Sequence, residues 1–458
     1  MINLGDLKHL GKIAAENDND LRGYFLETQV YEEIISGEYN LVLGRKGLGK
    51  SAICKYCSQS DQDGSELLEP DELIWHSDED FQETVKALKN VHSASWRFVI
   101  AIDIVKALLK RPELSARSKR RIRWNCWKLQ VDANAPRPRA LKNGLLSNFV
   151  FKLKYFEGTL HRKQFPIPVF RYLKISEHLF NVVAEVCSKD NVNRLLLHLD
   201  GLDRPLRDEE SRRPELIQGL VVAANYTHRF FKEHGLCITP VVYLRDDIWD
   251  TITFNDKTKQ LDLSINLHWK SEELKRLVDR RLKVLLNNEY ASWDGAVGER
   301  QPERLWTKIV ARTFLRPRDI IQLINLCLKP NKKKPGSVAS FTEAHFKECQ
   351  EDYCNYVLSE IDDELRTHWS DYKKSLSTLR ASFPDSFTRE DVEEKLDSDC
   401  FDKSIKDAQE ALYFFYRFSL IGFRNDKSDD WLFKYNSTFK ELPDIATDLR
   451  LHPSICNS

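Results

Sequence analysis

A lysine and a serine side by side at the end of a glycine-rich octapeptide are the residues whose types and spacing point most directly to chemistry. Gly44-Arg45-Lys46-Gly47-Leu48-Gly49-Lys50-Ser51 fills every fixed position of the phosphate-cradling pattern G-x-x-x-x-G-K-[ST]. Glycines at 44, 47 and 49 permit backbone conformations that a Cβ forbids, so successive N–H groups can turn toward phosphate oxygens. Lys50 is expected to reach the β- and γ-phosphates and Ser51 to ligate Mg²⁺, with Ala52 completing the binding set. The expected ligands are ATP and Mg²⁺.

Such a loop needs a strand before it and a helix after it. Tyr39–Leu43 is short and apolar, and Ser51–Cys57 continues as a helix whose positive end faces the loop. A second strand, Leu195–Leu199, ends at Asp200, placed to hold the Mg²⁺ water shell beside Ser51. Asp203 either polarises the attacking water or caps a turn. A third strand, from Cys237, ends at Arg245, which either senses the nucleotide or pairs with Asp246 and Asp247. Arg316 and Arg318 open an amphipathic helix through Pro317 and are candidates to reach the γ-phosphate. The fold expected is α/β: a P-loop NTPase with a parallel sheet flanked by helices, a helical lid, and a C-terminal winged-helix-like α+β domain. The domains expected are an ATPase core over 1–270 with a basic helical insertion at about 96–180, a lid over 271–335, and a C-terminal domain over 336–458.

Composition agrees with a globular chain of 458 residues, 41% hydrophobic, with 10 Trp and 24 Phe to fill cores. No run of 18 apolar residues occurs and the first residues lack a secretory pattern, so a cytoplasmic protein without membrane association is expected. Cys54 and Cys57 read as buried thiols rather than half a zinc site, and His198, inside an apolar strand, reads as a hydrogen-bonded core residue. Charge is balanced over the chain, with 70 bases and 70 acids, but not along it. Residues 58–85 hold ten acids and no Lys or Arg, whereas 106–142 hold twelve bases against Glu113 and Asp132. Arg117, Lys119, Arg120, Arg121 and Arg123, followed by Trp124 and Trp127, suit a nucleic-acid backbone; the alternative is a solvated face docked on the acidic segment.

Late in the chain, a helix beginning at Ser386, another over Lys406–Phe418, and short strands at Leu420–Arg424 and Trp431–Tyr435 follow the order of a winged helix. Residues 386–458 hold ten Lys and Arg against fifteen Asp and Glu, which disfavours DNA there and favours a protein-contact or autoinhibitory role.

The chain resembles bacterial P-loop ATPases of the STAND and KAP-like sort, in the AAA+ neighbourhood, and a P-loop ATPase family found near phage-defence genes. The resemblance covers nearly the full length and rests on Ala14–Phe25, Leu43–Ser51, Leu199–Arg204, Arg316-Pro317-Arg318 and His452-Pro453. It implies an ATP-dependent switch in antiviral defence, working with a protein partner as sensor or effector, and a possible homo-oligomer. KAP-like proteins often carry two adjacent acids where this chain has Asp200-Gly201. Two alternatives stay open: a DNA-handling ATPase using 106–142, and a scaffold that holds ATP without turning it over. Tyr24 and Phe25 are candidates for base selection.

Overall fold

In a computed structural model of the chain, the described residues are all except 1, 2, 6, 60–90, 130, 132–166, 202–212, 255–256, 330–337, 367, 397–400, 402–404, 426–428 and 456–458. Asp203, Arg204, nearly all of the acidic segment and the basic residues from 132 onward therefore lie outside the described residues. The chain divides into two compact units, one of Glu27–Arg45 with Gly49–His268, the other of Met1–Leu26, Lys46–Leu48 and Trp269–Ser458.

The unit Glu27–Arg45 with Gly49–His268 is mixed α/β. Its four strands, β1 (Leu41–Leu43), β2 (Arg194–Leu199), β3 (Cys237–Leu244) and β4 (Ser264–Asn266), form one parallel sheet in the order β2-β3-β1-β4. All three residues of β1, and all but the first residue of β2 and of β3, are buried, as expected for strands covered on both faces. Helices Lys50–Ser58, Val91–Lys110, Ile167–Asp190 and Arg213–Glu233 accompany the sheet, and the last three share a core with it around Leu195, Leu197, Ile100, Leu179 and Leu220. The order matters for function. The chain leaves β1 toward β2 and β3 on one side and finishes at β4 on the other, the kind of reversal at which open α/β sheets bind ligands beyond the carboxyl ends of their strands. Gly44, Asp200 and Arg245 each follow directly on the carboxyl end of β1, β2 and β3.

The second unit is mostly helical and closes on its own core, built around Trp293, Phe341, Ile320, Ile324, Tyr353, Trp369 and Phe415. Ser271–Leu285 opens with Glu272 and Glu273 in its first turn, and the Glu273 carboxylate accepts the Lys270 N–H at 2.9 Å. Pro317–Leu328 begins with proline at its first turn, where no N–H is missed. The helix expected from Ser386 begins three residues later, at Arg389. Thr388 is its cap, in a reciprocal pair with Asp391, because Ser386–Phe387 is consumed as a short strand, β5. With β6 (Ile421–Arg424), β7 (Trp431–Phe433) and β8 (Leu449–Leu451) it makes an antiparallel sheet ordered β5-β8-β6-β7. Among the described residues no helix is long and apolar enough to cross a membrane.

Candidate functional site

The site begins where β1 runs out. The Gly44 N–H still donates to the Leu244 carbonyl of β3, at 3.2 Å, so the first loop residue is fixed to the sheet. Gly49 then takes φ +101°, a left-handed value open to glycine, and serves as N-cap of the helix Lys50–Ser58. Lys50 is only 7% exposed, and its ammonium donates to the carbonyls of Gly44 at 2.6 Å and Arg45 at 3.0 Å. A buried ammonium held by loop carbonyls at a helix N-terminus is a centre of positive potential, and the left-handed glycine beside it keeps the approach free of a Cβ. These residues fit a phosphate group. Ser51 and Ala52 follow on the first turn, both half-buried.

Two carboxylates lie in the same unit. Asp200, 6% exposed, sits at the end of β2. It acts on its surroundings: burial pushes the Cys54 thiol well up and the Asp200 charge adds to that. Gly201, with φ +86°, follows it, so the second acid of the two-acid pattern would be strained at this position. By sequence Asp246 reads as a partner for Arg245. Burial raises its carboxyl above the usual range, while Arg45 and Lys50 pull it down, which puts it within electrostatic reach of the loop cations. Arg245 itself is held by Asp247, through Nε at 2.9 Å and Nη2 at 2.5 Å, so the local pairing is the arrangement present. Below the site His198 is fully buried, with Nδ1 2.8 Å from the Tyr243 hydroxyl, and burial lowers its pKa to about 4. Cys54 and Cys57 are both buried at 1% exposure, one turn apart.

The middle of the loop, Lys46–Leu48, belongs to the other unit, where it meets a charged network that the sequence did not announce. Arg316, 3% exposed, donates from Nη1 to the Lys46 carbonyl at 3.0 Å and to Glu364 at 2.8 Å, and its Nε lies 3.4 Å from Asp319. Burial alone would lower its pKa, but Glu364 and Asp319 outweigh burial and leave it raised. Arg318 pairs with Glu360 at 2.9 Å, and its N–H faces the Gly47 carbonyl at 3.4 Å. Lys46 meets Asp363 at 2.8 Å and Glu360 at 3.4 Å. Gly47 has φ +87°, and a Cβ there would come within 3.2 Å of the Arg316 side chain and 3.3 Å of Arg318. Three acids spaced i, i+3 and i+4 on the helix Gln350–Leu365 thus bind the three cations. Trp269 adds a hydrogen bond to the Leu48 carbonyl at 2.9 Å. Tyr24 is 1% exposed, with its hydroxyl on Asp18 and Arg281 over its ring, so it is engaged inside this unit. His452 is fully buried against Phe314, with ring centroids 4.2 Å apart.

Comparison with known proteins adds two findings. Residues 272–362 match the FunZ-associated C-terminal helical domain, and this stretch contains Arg316, Arg318, Glu360 and the start of the acidic helix. The chain is also similar to the putative transposon gamma-delta 80.3 kDa protein of Escherichia coli strain K12, with 23% identity over 345 residues. That match covers 69% of this chain and 46% of the other protein, so the chain spans about half of its relative.

Proposed function

We propose that this chain is a P-loop ATPase that works as a nucleotide-dependent switch. The observation that carries the reading is Lys50: a buried ammonium gathered by the Gly44 and Arg45 carbonyls, directly after a central parallel strand and at a helix N-terminus. The loop amides and Lys50 would hold the triphosphate, and Ser51 and Asp200 would hold Mg²⁺. The metal supplies charge neutralisation between the β- and γ-phosphates when bound. A phosphate at the loop competes with the Gly44 and Arg45 carbonyls for the Lys50 protons. Arg316, buried on Glu364 and holding the Lys46 carbonyl, positions the loop. Lys46, paired with Glu360 and Asp363 of the helix Gln350–Leu365, is the switch element of this reading.

The antiparallel sheet and the helices before it are proposed as a winged-helix-like module with a protein-contact role, because its sequence carries more acids than bases. The defence role rests on the resemblance given above and on no residue of the site. Its test is plaque formation by phage on cells producing the chain or its Lys50→Ala variant: protection lost with Lys50 supports it, and plaquing unaffected by the wild-type chain rejects it.

A further inference from the structure

The helix Ala116–Lys128 carries Arg117, Lys119, Arg120, Arg121, Arg123 and Lys128 and no acid. It buries Ser118, Ile122 and Cys126, each four residues apart, and so commits one narrow stripe to the core. Arg120, Trp124 and Trp127 fall on the opposite side. Trp124 is 53% and Trp127 67% exposed, and their rings stack on one another with centroids 4.8 Å apart. The Lys128 ammonium stands 5.3 Å from the Trp124 ring centroid.

Acids among the described residues neutralise little of this face. Arg121 pairs with Glu185, and the Arg120 Nε turns to the Ala116 carbonyl at 3.4 Å. Among the described residues Arg117, Lys119 and Arg123 have no carboxylate partner. Concentrated positive charge and two large aromatic rings thus share one outward surface, roughly 20 Å long at about 1.5 Å per residue. An acidic protein would match the charge but gives two stacked indoles in water no flat partner. A nucleic acid supplies phosphates at regular spacing and bases with flat faces. In a duplex those faces are hidden by stacking; in a single strand they are available.

We propose that this face binds single-stranded nucleic acid, with Arg117, Arg120, Arg123 and Lys128 along the backbone and bases stacked on Trp124 and Trp127. The site does not depend on the nucleotide reading, so each can fail without the other. The test is fluorescence anisotropy of full-length protein with a labelled thirty-nucleotide oligo-dT, the matching duplex, and heparin as competitor, at two salt concentrations. The single strand is expected to bind more tightly than the duplex. Trp124→Ala or Trp127→Ala should weaken it about tenfold each, within the range expected for loss of one stacked base. Replacing Arg117, Arg120 and Arg123 by Ala should lower the salt slope by about 2, at roughly 0.7 per phosphate contact. Lys50→Ala should bind as wild type. Equal affinity for duplex and single strand with no effect of the Trp variants would overturn the proposal. So would absence of binding at low salt, or displacement by heparin together with indifference to both tryptophans, which marks a general polyanion or acidic-protein surface.

Discussion

Replacing Glu364 by Ala tests how the acidic helix holds Arg316. Both side chains are nearly excluded from water, at 3% and 7% exposure, and their polar atoms lie 2.8 Å apart. Removing one member of such a buried pair strands the other, at a cost of about 3–5 kcal/mol. Asp319 at 3.4 Å and the Lys46 carbonyl at 3.0 Å remain to the guanidinium, so the low end, about 3 kcal/mol, is expected. For a unit of this size about 2–4 °C in Tm accompanies each kcal/mol, giving a shift of about 6–12 °C. Asp363→Ala is the internal comparison. The Lys46–Asp363 pair is exposed at 19% and 66%, and such pairs contribute about 0–1 kcal/mol. The assay is scanning calorimetry of the full chain, with hydrogen exchange of the Gln350–Leu365 peptides identifying the transition that moves. A Glu364→Ala shift no larger than that of Asp363→Ala would refute the reasoning, because burial would then not be setting the strength of the pair.

His198 has a folded pKa of about 4 against an ordinary 6.5, because burial disfavours its charged form. Above pH 6.5 it contributes nothing to the pH dependence; between 6.5 and 4 the unfolded chain takes a proton that the folded chain refuses, so stability falls with pH. The loss reaches roughly 3 kcal/mol near pH 4 at about 1.4 kcal/mol per pKa unit, and His198→Gln should flatten the urea midpoint over that window. Gly49→Ala forces a Cβ into φ +101° and should cost about 1–2 kcal/mol while weakening ATP, read by thermal shift with and without nucleotide. Asp200→Asn should leave nucleotide affinity without Mg²⁺ nearly unchanged and remove most of the gain from adding Mg²⁺, measured by titration calorimetry.

Much of the α/β unit was legible because its signals are local. Leu41–Leu43, Arg194–Leu199 and Cys237–Leu244 are apolar runs bounded by polar residues, and the loop glycines announce their own backbone demands. β5 and β8 were not legible: two and three residues long, they pair Phe387 with Leu449 across a distance no local pattern spans. The acidic partners of the loop were missed for the same reason. Asp363 lies 317 positions from Lys46, and Glu364 48 from Arg316, so each reads in isolation as an exposed helix acid. Asp246 was visible beside Arg245 but its environment was not. Its desolvation, and the presence of Arg45 and Lys50, arise only when β3 lies beside β1.

The central claim is that Lys50 and its loop bind ATP, and equilibrium titration of purified protein with Mg·ATP by calorimetry, wild type against Lys50→Ala, tests it most directly. Wild type is expected to bind one ATP per chain, with affinity lowered at least tenfold by Lys50→Ala and reduced by chelating Mg²⁺. No binding by a folded wild-type chain, or equal binding by the variant, would contradict the account.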